Sequence, residues 1–218
     1  MRTSVTVAAA LFICMMLFMI GADCYVLCSN VDKETKADTR YEYMYMLKYP
    51  EKTVPAGAES AYIESLSKTE YDNTLDITIM GIDEGNKYFD YETVKGRSNI
   101  VMSRSVQQKY GLKVGDKLIL SDNANEMDYA FTIKGVADYS AGLTVFMDID
   151  SMRELFDKDD DYYNVLYSDA PLDIEEGRLY SVQTKDDIYR SSDVFIRLMM
   201  PMIIMISGVS AIIFCVVL

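Results

Sequence analysis

Three aspartates at alternate positions, Asp157, Asp159 and Asp161, open like a calcium-binding loop. Such a loop needs glycine at its sixth position for the sharp turn and a bidentate glutamate at its twelfth. Here those positions hold Tyr162 and Ser168, so the segment reads as a solvated acidic turn and no metal is assigned. Gly111, Gly115 and Gly135 have the residue type that lets backbone N–H groups cradle an anion. The chain has no G-x-G-x-x-G and no G-x-x-x-x-G-K-[ST], and carboxylates surround these glycines, so turns explain them better. The absence of His removes Ser-His-Asp and Cys-His nucleophile pairs and His-ligated metals. Asp83-Glu84 and Glu175-Glu176 are neighbours in sequence only, and no general acid or base follows from that. The 17 tyrosines run from Tyr25 to Tyr189. They could build a carbohydrate- or peptide-binding face, but strand and core positions account for them. No catalytic residue, cofactor site or metal site is expected.

These residues lie in a chain of 218 residues with a formal charge of −13 and a mean hydropathy near zero. That average hides two neutral runs, residues 3–22 and 198–218, and every acidic residue and every basic residue but Arg2 lies between them. At about 1.5 Å per residue each run is long enough to cross a hydrocarbon core. The first exceeds the 7–15-residue apolar stretch typical of a cleaved signal peptide, the alternative reading, and no small-x-small site closes it. The second ends at Leu218 with no basic anchor beyond it, which fits a fragment of a longer multi-span protein. Pro201 is expected in the first turns of that span, where proline does least damage. Arg2 places the N-terminus in the cytoplasm by the positive-inside rule and the acidic block outside, at the cell membrane of a multi-pass protein. The expected organisation is therefore residues 1–28 as a first transmembrane helix with an outer extension, 29–197 as an extracellular domain, and 198–218 as a second transmembrane helix. The lipid bilayer is an expected partner, and nucleic acid is not, because phosphate binding needs a basic face. Cys24 and Cys28 stand one helical turn apart, a spacing that strains a disulfide, so free thiols are expected.

Between the runs, residues 31–39 are polar and read as a stalk. Tyr41, Tyr43, Tyr45, Leu47 and Tyr49 alternate with polar residues and Met, a strand signal, and residues 50–57 read as a turn. Further strands are expected through Leu75, Ile77 and Ile79, at Ile100–Met102, Leu118–Leu120, Tyr129–Ile133, 143–147, 165–167 and 180–182. Ser103 is placed to cap a helix that Gly111 ends, and Asp122-Asn123-Ala124-Asn125 to turn a hairpin. Asp150 or Ser151 is expected to cap a short helix with Met152, Leu155 and Phe156 inward. A helix opening at Thr184 should run unbroken into the second span, over 185–218. Many short strands with a few helices make an α+β domain of mixed strands, flanked by the two apolar helices.

The order of these elements resembles the extracellular core domain of FtsX-like/MacB-like ABC transporter permeases. The resemblance is carried by Met80-Gly81-Ile82-Asp83 with Lys87-Tyr88-Phe89, by Gly96-Arg97 followed by residues 99–105, and by residues 110–118 with Gly111, Gly115 and Asp116. Phe131-Thr132-Ile133-Lys134-Gly135-Val136 and Val145-Phe146-Met147-Asp148 complete it, and Arg2-Thr3 at the start of the first span is also similar. It covers roughly residues 75–160 and both spans in position. The resemblance implies a permease subunit without enzymatic activity of its own, paired with a cytoplasmic ATPase that binds the ATP. It also implies a second permease copy or pseudo-repeat, and motion passed to the outer domain through the helix after Thr184, for export or for mechanotransmission. Gly81, Asp83, Gly96, Arg97, Gly111, Gly115, Asp116 and Gly135 are the motif residues, with structural roles. The layout also fits a two-span sensor with an extracellular ligand domain, or a secreted adhesion-type domain.

Overall fold

The computed structural model describes residues 2–49, 53–71 and 73–217. The start of the turn expected over 50–57, and the terminal residue 218 of the second apolar run, lie outside the described residues. The chain forms two compact units. One comprises the two terminal segments, up to Ala37 and from Asp187 onward, and the other is Asp38–Asp186.

The central unit is α+β. Among the described residues nine strands join one sheet: β1 (Tyr43–Leu47), β2 (Ala58–Glu70), β3 (Asn73–Ile82), β4 (Asn99–Ser103), β5 (Lys117–Asp122), β6 (Met127–Ala137), β7 (Thr144–Asp148), β8 (Val165–Ser168) and β9 (Leu179–Thr184). Their order is β3-β7-β4-β6-β5-β2-β8-β1-β9, and β2 also pairs with β3. Six strands thus close on themselves, with a narrow seam at the single β2–β5 pair Ser67↔Ser121. The pairs β3–β7 and β4–β6 are parallel and the rest antiparallel. The core of the closed part includes Tyr62, Ile77, Ile79, Ile100, Met102, Leu120, Phe131 and Met147, all buried. A smaller core of Tyr45, Leu47, Tyr163 and Leu166 lies under β8, β1 and β9.

The sequence pattern gives no strand between the turn expected over 50–57 and Leu75, yet β2, which fills most of that stretch, is the longest strand described. Its first residues pair with β8 and its later ones with β3, so it changes partners midway. Ser60, Ala61 and Tyr62 are consequently buried in succession, and the alternation that marks a one-faced strand is broken.

Two short helices follow strands. Ser103 Oγ accepts the Val106 N–H at 3.3 Å to start α2 (Arg104–Tyr110). Gly111 ends it in the left-handed region at φ 64°, its N–H donating to the Gln107 carbonyl, a conformation that costs glycine no Cβ clash. The α3 helix (Ile149–Leu155) is capped by neither Asp150 nor Ser151. Strand β7 runs through Asp148, which places Asp148 at the cap: its Oδ2 accepts the Ser151 N–H at 3.0 Å and the Ser151 hydroxyl at 2.7 Å.

The terminal unit holds α1 (Arg2–Asp38) and α4 (Lys185–Val217) without their domain-side ends. Both helices are long and apolar enough to cross a membrane. Their apolar side chains are largely exposed, for example Phe12 at 65 % and Ile204 at 66 %, which is not the pattern of a core helix. The polar stretch expected as a stalk is helical to Asp38. Because α4 begins at Lys185, Pro201 stands deep inside the helix and not in a first turn. The Arg197 carbonyl therefore has no N–H four residues on to accept from. Cys24 and Cys28 are free thiols on the continuous helix α1.

Candidate functional site

Four of the motif residues converge on α3. Gly81, in β3, lies so close to the helix that a Cβ there would stand 2.9 Å from Met152 Sδ and 3.2 Å from Ile149 Cα. The Gly96 N–H donates to Ser151 Oγ at 2.8 Å, and Arg97 pairs with Glu154. Arg97 holds the Glu154 carboxyl below its ordinary range, and Glu154 raises the Arg97 guanidinium in return. Asp83 follows β3, and burial raises its carboxyl above the usual carboxylate value against the opposing pull of Arg153. The Arg153 guanidinium is anchored by Asp150 and by the Tyr162 carbonyl. These residues seat a helix.

The other four motif residues belong to a second group, around the entry to β5 and the middle of β6. The Gly115 N–H donates to the Ile133 carbonyl at 2.8 Å, and the Ile133 N–H returns to the Asp116 carbonyl at 3.0 Å. Asp116 Oδ2 accepts the Lys113 N–H at 2.8 Å, which closes the turn that follows Gly111. Gly135 sits at the register shift between β4 and β6, facing Val101. The structure thus brings the eight together as two scaffold groups and not as one site. Asp157, Asp159 and Asp161 follow α3 in a turn, where the Asp159 carbonyl accepts the Tyr162 N–H.

An aromatic cluster gathers where the chain enters the central unit. Tyr41, Tyr88, Phe89, Tyr139, Phe146 and Tyr167 have ring centroids 4.7–6.4 Å apart in successive pairs. Asn86 sets two of them in place: its Oδ1 accepts the N–H groups of Tyr88 and Phe89 at 3.0 and 3.1 Å. Burial pushes the Tyr41 phenol up to about 12. Sequence reading picks out Tyr88-Phe89 as a motif, but the partners come from segments about 50 to 80 residues away, and spacing carries no signal for that.

Within the terminal unit, α1 and α4 are antiparallel, and their contacts fall into a dry part and a polar part. In the dry part the Ser210 hydroxyl donates to the Cys14 carbonyl, and a Cβ on Gly21 would stand 2.6 Å from Ser207 Oγ. Small residues and hydroxyls at such a seam let helices approach closely in an apolar medium. In the polar part Lys36 Nζ pairs with Asp32 at 2.9 Å on its own helix and with Asp193 at 3.0 Å on α4. The Ser192 hydroxyl donates to Asp32 at 2.6 Å, and the Tyr189 hydroxyl donates to the Lys36 carbonyl at 3.2 Å. Sequence reading takes residues 31–39 as a stalk and the segment after Thr184 as a helix entering the second span, and misses this latch between them. Its signal is the run of acidic, hydroxyl and basic residues just outside each apolar segment.

No family model matches the chain, and no curated protein does. Among solved structures, it is similar to the extracellular domain of YknZ, a noncanonic ABC-type transporter from Gram-positive bacteria. The identity is 18 %, over 61 % of this chain and 84 % of that one, with a TM-score of 0.36. It is also similar to the periplasmic region of MacB from Actinobacillus actinomycetemcomitans, at 10 % identity over 72 % of this chain and 94 % of that one, with a TM-score of 0.40.

Proposed function

We propose that the chain is a permease subunit of an ABC transporter of the FtsX/MacB type. In this reading α1 and α4 cross the cell membrane and residues 29–197 lie outside the cytoplasm. A separate cytoplasmic ATPase binds and hydrolyses ATP, and this chain has no enzymatic step of its own. A second permease copy or pseudo-repeat completes the assembly. The observation that carries the proposal is the continuity of α4, one helix from Lys185, directly after β9, to Val217. A continuous helix is stiff, and displacement of its apolar part is passed along its length. The ordered motifs that seat α3 and the β5–β6 turn support the same reading, since they build the domain that such motion would act on.

The test is an insertion of Gly-Gly between Ser191 and Ser192, which breaks the helix between its two ends. ATP hydrolysis by the partner should persist while the nucleotide-dependent response of the outer domain is lost. An outer-domain response that survives the insertion refutes the lever.

A further inference from the structure

The central unit has a cavity of about 480 Å³ that none of the roles above uses. That volume falls within the range of small-molecule sites, which combine apolar walls with a few convergent polar groups. Three elements meet there: β2, the β5–β6 hairpin and the segment after α3. Tyr129 and Phe156 form an aromatic wall, with ring centroids 5.3 Å apart, and Leu66, Met127 and Leu155 add apolar surface. The polar lining is unequal in charge: Glu64, Asp122 and Asp157 against Lys158. Lys158 Nζ stands 5.3 Å from the Tyr162 ring centroid. Glu64 Oε1 accepts the Tyr62 hydroxyl at 2.6 Å, and Asp122 accepts from the Ala124 and Asn125 N–H groups and the Asn125 amide, so both carboxylates are held in place. Both are close enough to the cavity wall to raise the Tyr129 phenol, after burial itself.

We propose that this cavity binds an organic cation that carries an apolar arm. The arm packs against the wall formed by Tyr129 and Phe156, where an aromatic face also favours a nearby cation, and the charged head meets Glu64, Asp122 and Asp157. The net charge of −13 steers cations towards such a site and anions away from it. The proposal does not rest on ATPase coupling.

The chain has no tryptophan, so Met127→Trp, at a half-exposed lining position, gives a single fluorescent reporter in the cavity wall. The probes are phenethylammonium and its neutral counterpart 2-phenylethanol, titrated onto the full chain in detergent. Phenethylammonium should change the Trp signal saturably and bind roughly tenfold or more tighter than the alcohol, the scale of one hydrogen bond to a charged group. Glu64→Gln with Asp122→Asn should remove that preference while keeping acceptors for Tyr62 and for the turn. Asp157→Asn alone, at a surface turn, should weaken binding, and Lys158→Ala should tighten it. Equal affinity for amine and alcohol overturns the proposal. So does unchanged amine binding in the folded Asp157→Asn and Glu64→Gln/Asp122→Asn variants, or the lack of a saturable signal at millimolar amine.

Discussion

Gly81→Ala is the sharpest test of how the motif residues work. The added methyl would lie 2.9 Å from Met152 Sδ, 3.2 Å from Ile149 Cα and 3.4 Å from Ile149 Cγ1. Met152 could swing its sulfur aside in a looser site, but it is fully buried here. Ile149 Cα is backbone and moves only if α3 moves. Overpacking of this kind costs about 1–3 kcal/mol. For a domain of this size that corresponds to a loss of roughly 2–12 °C in melting temperature. Because α3 carries Ser151 and Glu154, the same displacement should loosen the Gly96 N–H bond and the Arg97 ion pair. The assay is thermal unfolding of the full chain in detergent, followed by the near-ultraviolet dichroism of its buried tyrosines, with amide exchange at Gly96. Gly177→Ala is the control, since nothing lies within 4 Å of its added Cβ, and its stability should stay within about 0.5 kcal/mol of the parent. A Gly81→Ala protein that melts with the parent and protects the Gly96 amide equally would refute the close-packing argument.

Two further outcomes follow from the same geometry. The Asp83 carboxyl is raised from its ordinary 3.8 in the folded state, so the folded chain binds its proton more tightly than the unfolded chain, and ionisation costs stability as pH rises through and above 3.8. Asp83→Asn should therefore be more stable than the parent at neutral pH, with the gap closing towards pH 3.8 in denaturant titrations; a gap that widens on acidification contradicts this. Lys36→Met should remove the cation that bridges Asp32 and Asp193, so that spin labels at Glu34 and Arg190 give a longer or broader distance distribution than in the parent. An unchanged distribution would mean that the latch does not hold α1 to α4.

Much of this architecture was legible because its signals are local. Ser103 and Gly111 bound α2 by capping chemistry that three or four residues suffice to encode, and the apolar run after Thr184 leaves a helix nothing to stop it. Pro201 is misleading when counted from the start of the apolar span, because the helix that carries it already opens at Lys185. Strand β2 was hidden because it changes partners along its length and buries Ser60, Ala61 and Tyr62 in succession. Asp148 was overlooked as a cap because β7 and α3 share it. For the candidate sites, Gly81 and Gly96-Arg97 could be recognised as an ordered set, but their common purpose lies in α3, about 55 to 70 residues further along. The aromatic cluster around Asn86 and the Asp32–Lys36–Asp193 latch are products of chain folding alone.

The most direct test of the proposed coupling places this chain in a bilayer with its ATPase partner and spin labels at Tyr71 and Tyr180, both exposed positions of the central unit, together with a label in the membrane. The distances from these labels to the membrane label are compared between the ATP-bound and vanadate-trapped states. The account predicts a shift between the two states that disappears when Gly-Gly separates Ser191 from Ser192, with ATP hydrolysis retained. Distances that do not respond to nucleotide in the uninterrupted chain, despite a partner that assembles with it and hydrolyses ATP, would contradict the account.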